Sequence, residues 1–118
     1  MKFREILEEI RKNVDGAKAV SLMGLDGIAI DSVNPENVPL DNFHAEFSAF
    51  LKGLRVANAE LDAGEIQQFS VVTDRYITFL SAITSDYYML VIMSAGGNYG
   101  RARFELWKAK FKLQDELS

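Results

Sequence analysis

The sequence predicts an α+β domain in which three helices and five antiparallel strands follow in the order α-ββ-α-βββ-α. Three observations carry this prediction. Apolar residues recur at helical spacing in the first 14 residues, in 41–61 and in 99–117. The segment 87–93 has no polar face, as a strand covered on both sides should not. Turn-forming residues separate short apolar runs at 24–27, at 74 and at 84–86, which indicates hairpins. We expect both terminal helices on one face of the sheet and the central helix on the other.

The first third of the chain predicts a helix followed by a hairpin. Apolar residues at helical spacing mark the helix at 1–14, and Asp15-Gly16 ends it. Strands are predicted at 17–23 and 28–33, joined by a tight turn around Asp26-Gly27. A surface loop with two prolines then leads to Asp41, which we expect to cap the central helix through its carboxylate.

The central helix, 41–61, carries two rows of side chains. An apolar stripe broad enough to cover a sheet consists of Phe43, Phe47, Phe50, Leu51, Leu54 and Leu61. Beside it runs a row of very small residues at four-residue spacing: Ala45, Ala49, Gly53 and Ala57. Glycine within a helix costs roughly 0.5–1 kcal/mol relative to alanine, so a packing reason for Gly53 is expected. The row predicts close packing against a second copy of the helix; the alternative is a core helix rich in alanine for its helix propensity.

Three strands are predicted after the central helix, at 66–73, 75–83 and 87–93. The last should be central in the sheet. One helix is too narrow to cover a five-stranded face, so pairing of two copies would help to close it. Edge strands could pair between copies as well. We expect strand 66–73 to take this part, which adds Phe69 and Val71 to the predicted dimer interface.

The final helix, 99–117, begins after Asn98, which we expect to cap it, and carries two apolar stripes. One stripe, from Ala102 to Leu117, should meet the sheet. The other contains Phe104, Trp107 and Phe111, roughly 140° away around the helix. We expect the first helix to cover this aromatic stripe, with any exposed remainder available to a partner protein.

Length and composition limit the classes of function. A chain of 118 residues fits one domain, 1–118, and its net charge of −4 with a pI near 5.0 argues against nucleic acid or an anionic membrane as main partner. Cysteine is absent, which removes disulfides and thiolate chemistry. The N-terminus has neither a signal-peptide pattern nor an apolar span, so we expect no membrane insertion and a cytoplasmic location.

No motif in the sequence indicates catalysis, a cofactor or a metal. The segment 96–100 before the last helix resembles a phosphate-binding loop but lacks the Lys-Ser/Thr pair, so we interpret it as a tight strand-to-helix turn. His44 is the only histidine and has no patterned ligand or acid partner. We expect it to face solvent or lie next to the helix cap, and we predict that the protein is not an enzyme.

Three arginines, Arg75, Arg101 and Arg103, are candidates for an arginine finger supplied to a bound GTPase. The alternative is a structural role. Arg101, Lys108 and Lys112 share one face of the last helix, typical of a solvated surface. Arg103 lies near the apolar stripe, and we expect it to anchor the helix to the preceding loop.

The segment Asn98-Tyr99-Gly100-Arg101-Ala102-Arg103, with Asp26-Gly27 and the run from Asp86 to Leu90, resembles the roadblock/dynein light-chain family, which includes MglB-type regulators of small Ras-like GTPases. The similarity extends from about Phe3 to Leu117, and the family's Asn-x-Gly-x-x-Arg motif falls on Asn98, Gly100 and Arg103. The resemblance implies a homodimer with paired central helices and third strands joined into a ten-stranded sheet. Members act as scaffolds or regulators of GTPases and motor complexes.

The predicted function is therefore a non-enzymatic, homodimeric interaction module that binds and regulates, or scaffolds, a small Ras-like GTPase in signalling. One alternative is a small-molecule sensor of the PAS or GAF type, which would need a cavity between sheet and helices. Another is a purely structural adaptor subunit.

Overall fold

The order of helices and strands agrees with the prediction. A computed structural model describes residues 2–117. The elements are α1 (Lys2–Asn13), β1 (Ala17–Gly24), β2 (Ala29–Val33), α2 (Leu40–Leu61), β3 (Gln68–Val72), β4 (Tyr76–Ala82), β5 (Tyr87–Ser94) and α3 (Tyr99–Leu117). The predicted α-ββ-α-βββ-α fold is confirmed.

The five strands form one antiparallel sheet in the order β2-β1-β5-β4-β3. The strand β5 is central, as its apolar sequence predicts, and its residues from Tyr88 to Met93 are all buried. The edges are β2 and β3, each paired on one side within the described chain. In register, Val91 of β5 lies between Val20 of β1 and Phe79 of β4.

The sheet separates two apolar cores. On one face, α1 and α3 pack on side chains that include Met89, Val91 and Met93 of β5. On the other face, α2 packs on side chains that include Leu90 and Ile92. Alternate residues of one strand thus supply both cores, because successive side chains of a strand point to opposite faces. The predicted placement of the helices is confirmed.

The turn between β1 and β2 forms as its sequence indicates. The amide of Gly27 donates to the carbonyl of Gly24 at 3.0 Å, and the Asp26 carboxylate accepts from the amide of Ile28 at 3.0 Å. Gly27 has a φ of 85°, in the left-handed region that favours glycine. These contacts place the hairpin beside the first half of α2, where a methyl group on Gly27 would lie 3.2 Å from Cβ of Ser48.

The predicted cap of α2 is wrong. The helix begins at Leu40, its N-cap residue is Pro39, and no side chain caps it. Asp41 instead lies within the first turn, where its negative charge favours the positive end of the helix dipole. The strands β2, β3 and β4 are also shorter than predicted, since their apolar flanking residues lie in the turns.

Candidate interaction surface

The part of α2 from Leu40 to Leu51 covers the sheet, and the part after Leu51 does not. Its buried residues are Leu40, His44, Phe47, Ser48 and Leu51, all within three turns of the helix start. Further along, no described residue of α2 is buried. The prediction of one continuous core stripe is therefore wrong: Phe50, Leu54 and Leu61 are 50%, 39% and 73% exposed. Their helical spacing matches that of a core stripe, but the sheet does not extend beneath them.

The small-residue row of α2 is exposed along its whole length, at Ala45, Ala49, Gly53 and Ala57. A methyl group built on Gly53 would meet no atom within 4 Å from other parts of residues 2–117, beyond its own helix turn. Packing inside the described chain therefore gives no reason for glycine at this position. Next to the row lie the exposed apolar residues described above, together with Val56. We call the row and these four side chains the α2 surface.

The edge strand β3 continues this surface. The ring of Phe69 stacks on that of Phe47 with centroids 6.2 Å apart, and Phe47 meets Phe50 edge-on at 5.3 Å. Val71 lies on the same face of β3 as Phe69, and its side chain is 38% exposed. The structure thus brings the predicted interface residues Phe69 and Val71 to the side of the sheet that carries α2. Their occupation by a second copy remains a prediction.

The prediction for His44 is wrong, because the side chain is buried rather than facing solvent. Its Nε2 lies 2.7 Å from the hydroxyl of Ser21 on β1, and both side chains are almost completely enclosed. Burial lowers the pKa of His44, and the negative charge of Asp41 offsets this only in part. Within residues 2–117 no carboxylate is hydrogen-bonded to the imidazole, so the pair lacks the orienting acid of a catalytic triad. Its role is to satisfy two polar groups in the core under α2.

The loop before α3 forms a tight, capped turn. The side-chain oxygen of Asn98 accepts from the amide of Arg101 at 3.0 Å, as predicted for a cap. A methyl group on Gly97 would lie 2.8 Å from Met93 and 2.9 Å from the carbonyl oxygen of Asp15, so this glycine permits close packing. At Gly100 the corresponding contact is an ordinary 3.7 Å, to Asn98.

Two predictions for the side chains of α3 are wrong. Arg103 is exposed and makes no side-chain hydrogen bond or ion pair within residues 2–117, so it does not anchor the helix to the loop. The aromatic stripe, Phe104, Trp107 and Phe111, is not covered by α1. The first helix packs instead against the other stripe of α3, which it shares with the sheet. Helical spacing identifies both stripes but does not say which of them a neighbour covers.

Glu105 joins α1 to α3 from an almost fully buried position. Asn13 of α1 donates to its carboxylate at 3.1 Å, and Arg101 and Lys108 of α3 form ion pairs with it at 3.2 and 3.4 Å. Burial alone would raise the pKa of Glu105. Hydrogen bonds from Asn13 and Lys108, with the positive charges of Lys108 and Arg101, outweigh burial and leave the pKa below its ordinary value. The carboxylate therefore stays ionised and holds both cations close to the helix.

Metal sites and membrane-spanning helices are the other features considered for residues 2–117. In residues 2–117, no group of three or more His, Asp or Glu side chains is placed to hold a metal ion. None of the helices there has both the length and the apolar character needed to cross a bilayer.

The fold and surface define a small α+β domain that exposes apolar side chains on α2, on α3 and on the edge strand β3. No protein-family model and no curated protein matches the sequence. Several solved structures are similar to the chain. MglC from Myxococcus xanthus is 31% identical over 98% of this chain and 99% of that chain, with a TM-score of 0.71. MglB from the same organism is 16% identical, with a TM-score of 0.89 over 99% and 95% of the two chains.

A Roadblock/LC7 domain from Streptomyces avermitilis is similar as well, at 18% identity, with a TM-score of 0.87 over 96% of this chain and 95% of that one. The chain belongs to the roadblock/LC7 family, in the group that includes MglB and MglC. The predicted resemblance is confirmed, and it supports a small regulatory or adaptor domain.

Proposed function

We propose that the protein is a non-enzymatic homodimer that binds a small Ras-like GTPase and regulates or scaffolds it. The observation that carries the dimer is the α2 surface. It combines a row of four small residues with four exposed apolar side chains, on a helix that has no buried residue after Leu51. Exposed apolar patches of this kind typically mark protein interaction sites.

Gly53 supports a helix as the occupant. A glycine that costs helix stability and meets nothing in its own chain is explained if another backbone approaches it closely. A second copy of α2 offers an equally small row, and twofold dimers are the commonest oligomers of soluble proteins. In the proposed dimer, Ala45, Ala49, Gly53 and Ala57 of each copy face the other.

The edge of β3 supports a second contact. Its outer backbone groups have no partner strand within residues 2–117, and Phe69 and Val71 flank the α2 surface. Pairing β3 with its copy would satisfy those groups, extend the sheet to ten strands and remove an aggregation-prone edge. We propose that one twofold axis relates both contacts.

Regulation of a GTPase by this protein would rest on holding the partner's switch segments in one conformation. The described residues offer no triad or metal cluster to perform chemistry themselves. A sensor of the PAS or GAF type is less well supported, because Phe47 and Leu51 of α2 fill the space above Leu80, Leu90 and Ile92 of the sheet. Of the motif residues Asn98, Gly100 and Arg103, Asn98 is proposed to maintain the start of α3 through its cap, whereas Gly100 and Arg103 are exposed.

The test is capture of the tagged full chain from its native cells, followed by a GTP hydrolysis assay on any GTPase that co-purifies. We expect a small GTPase whose hydrolysis rate or location changes with the protein present. Sedimentation of the pure protein at micromolar concentration should give a dimer. A monomer there would reject the dimer, and failure to bind any candidate GTPase would reject the regulator.

A further inference from the structure

The exposed side of α3 carries an aromatic stripe whose side chains pack on one another rather than on the protein. Phe104, Trp107 and Phe111 are 49%, 56% and 54% exposed. Their ring centroids are 6.4 Å apart from Phe104 to Trp107 and 5.5 Å apart from Trp107 to Phe111. The spacing i, i+3, i+7 spans about 10 Å, two turns of helix. We call these three residues the α3 stripe.

Positive charges border the α3 stripe on both sides. At helical pitch, Arg101, Lys108 and Lys112 fall along one border, and Arg103 and Lys110 along the other. The guanidinium of Arg101 lies 5.7 Å from the centre of the Phe104 ring, and the ammonium of Lys108 lies 5.5 Å from it. Glu105 holds both groups from below through ion pairs. The aromatic and cationic groups on this border therefore contact one another within the chain, without any partner present.

This basic border stands out in an acidic protein. The chain has 17 acidic residues against 13 Lys and Arg, yet five of those cations flank one stripe on one helix. Arg101 and Lys108 share the carboxylate of Glu105, and Lys112 lies 4.0 Å from that of Glu9. Arg103 has no acidic partner within residues 2–117, and Lys110 donates only to the neutral Gln67 at 3.3 Å, so the border keeps a positive excess. Charge complementarity across an interface therefore requires acidic groups on the partner, on both sides of its apolar contacts.

Two other occupants fit this surface poorly. A second copy would bring two basic borders together, and Glu105 and Glu9 offset only part of the positive charge on each, so the contact is repulsive on balance. An anionic membrane would also meet the acidic side chains next to α3. Glu5 and Glu9 of α1, with Asp115 and Glu116 at the end of α3, line a cleft between the two helices. These carboxylates point to a narrow partner that contacts the stripe alone.

We propose that the α3 stripe docks an acidic amphipathic helix of a partner protein. Apolar anchors of that helix at i, i+3 or i+4, and i+7 would contact Phe104, Trp107 and Phe111. Its Asp and Glu side chains would pair with Arg101 and Lys108 on one border and with Arg103 and Lys110 on the other. Because α2 and α3 cover opposite faces of the sheet, this site is separate from the α2 surface and does not depend on the proposed homodimer.

The first experiment selects helices from a yeast-displayed library of single amphipathic helices, with acidic, basic and neutral residues allowed beside the apolar positions. The bait is the labelled full chain. We expect enrichment of helices with apolar anchors at the stated spacing and acidic residues on both sides. Enrichment of basic or neutral borders, or of no helix, would overturn the proposal.

The second experiment uses Trp107, the one tryptophan of the chain, as the reporter. A synthetic peptide of the enriched sequence should shift its emission to shorter wavelength as the indole leaves water. Phe111→Ser and Arg103→Glu should each weaken peptide binding about tenfold, as truncation of an anchor or reversal of a facing charge typically does. Lys52→Glu, an exposed charge reversal on α2, is the matched control and should leave binding within about twofold.

Three results would contradict the proposed occupant. The first is peptide binding that survives both α3 variants. The second is a larger emission shift with vesicles of phosphatidylserine and phosphatidylcholine than with the peptide, which would indicate a membrane. The third is a shift that grows with protein concentration alone and is lost in Phe111→Ser, which would indicate a second copy. Peptide binding unchanged in Gly53→Leu would show that this site is independent of the dimer.

Discussion

The two faces of the sheet are covered in different ways. The face under α1 and α3 is closed by two helices whose apolar stripes converge on one core, including Leu7, Leu106 and Leu113. The face under α2 is closed by residues 40–51 of that helix, where Phe50 is half exposed, and beyond them Leu54 and Leu61 lie in solvent. A sheet of five strands is wider than one helix. The difference teaches that the first face is closed within one chain, whereas the second leaves apolar side chains exposed for the proposed second copy.

The largest effect should come from a leucine on the complete face. Leu106→Ala removes a side chain with no exposed surface and should reduce the free energy of unfolding by about 2–5 kcal/mol. Leu61→Ala, at the exposed end of α2, is the matched control. Both variants are made in a Gly53→Leu background, so that the proposed dimer contact at Leu61 does not contribute, and there Leu61→Ala should cost less than about 0.5 kcal/mol. Urea denaturation at one protein concentration measures both. Equal losses of unfolding free energy at the two sites would contradict the difference between the two faces of the sheet.

On the incomplete face, Gly53→Leu should separate the proposed dimer while leaving the fold intact. A Cβ atom there meets nothing within 4 Å from other parts of residues 2–117, and a leucine side chain on this exposed row would keep two helices apart. We expect self-association to weaken at least about a hundredfold, roughly 2.7 kcal/mol. Sedimentation measures this, and circular dichroism should stay unchanged.

Ala59→Leu serves as the control for Gly53→Leu, because this exposed position lies on α2 outside the small-residue row. It should leave the dimer in place. If both variants dissociate the protein, or neither does, the small-residue row is not the contact.

The polar contact under the covered half of α2 should make stability depend on pH. Burial lowers the pKa of His44 from its ordinary 6.5, so the unfolded chain takes up a proton before the folded one does. The stability that comes from a neutral His44 is complete above about pH 6.5 and is lost as the pH falls through the folded-state value. His44→Gln should remove this part of the loss. Urea midpoints at pH 7.5 and 5.5 test it, and identical slopes for both proteins would refute the mechanism.

The smallest effect should come from the cap of α3. Asn98→Ala removes the acceptor for the Arg101 amide and should reduce stability by about 1 kcal/mol. Asn98→Asp keeps an acceptor and should recover most of that loss, which thermal unfolding of the three proteins would measure. A loss of several kcal/mol would mean that Asn98 does more than cap the helix.

Local sequence patterns were sufficient to predict the elements of the sheet face that α1 and α3 cover. The apolar run of β5, the Asp26-Gly27 turn and the stripe from Ala102 to Leu117 each lead to the observed element, because burial and turn geometry act on neighbouring residues. For α2, the same periodicity led to the wrong prediction of one continuous core stripe. A side chain such as Leu54 that faces another chain has the spacing of one that faces the sheet, so the pattern does not show which surface covers it.

Polar contacts between residues far apart in the sequence could not be predicted from local patterns. Ser21 and His44 are 23 positions apart on a strand and a helix, and no motif links them. One signal was available, since His44 has the helical phase of Leu40, Phe47 and Leu51, which marks the buried side of α2. Likewise, Pro39 starts α2 ahead of Asp41 because its fixed φ of −70° suits the entry to a helix.

The contact between two glycines ties the beginning of the fold to its end. A methyl group on Gly16, between α1 and β1, would lie 2.7 Å from Cα of Gly97, between β5 and α3. The two turns thus touch backbone to backbone, with no side chain between them to absorb a displacement. A displacement of the turn before α3 would therefore have to be matched at the turn after α1, and a larger residue at either glycine would separate the two turns.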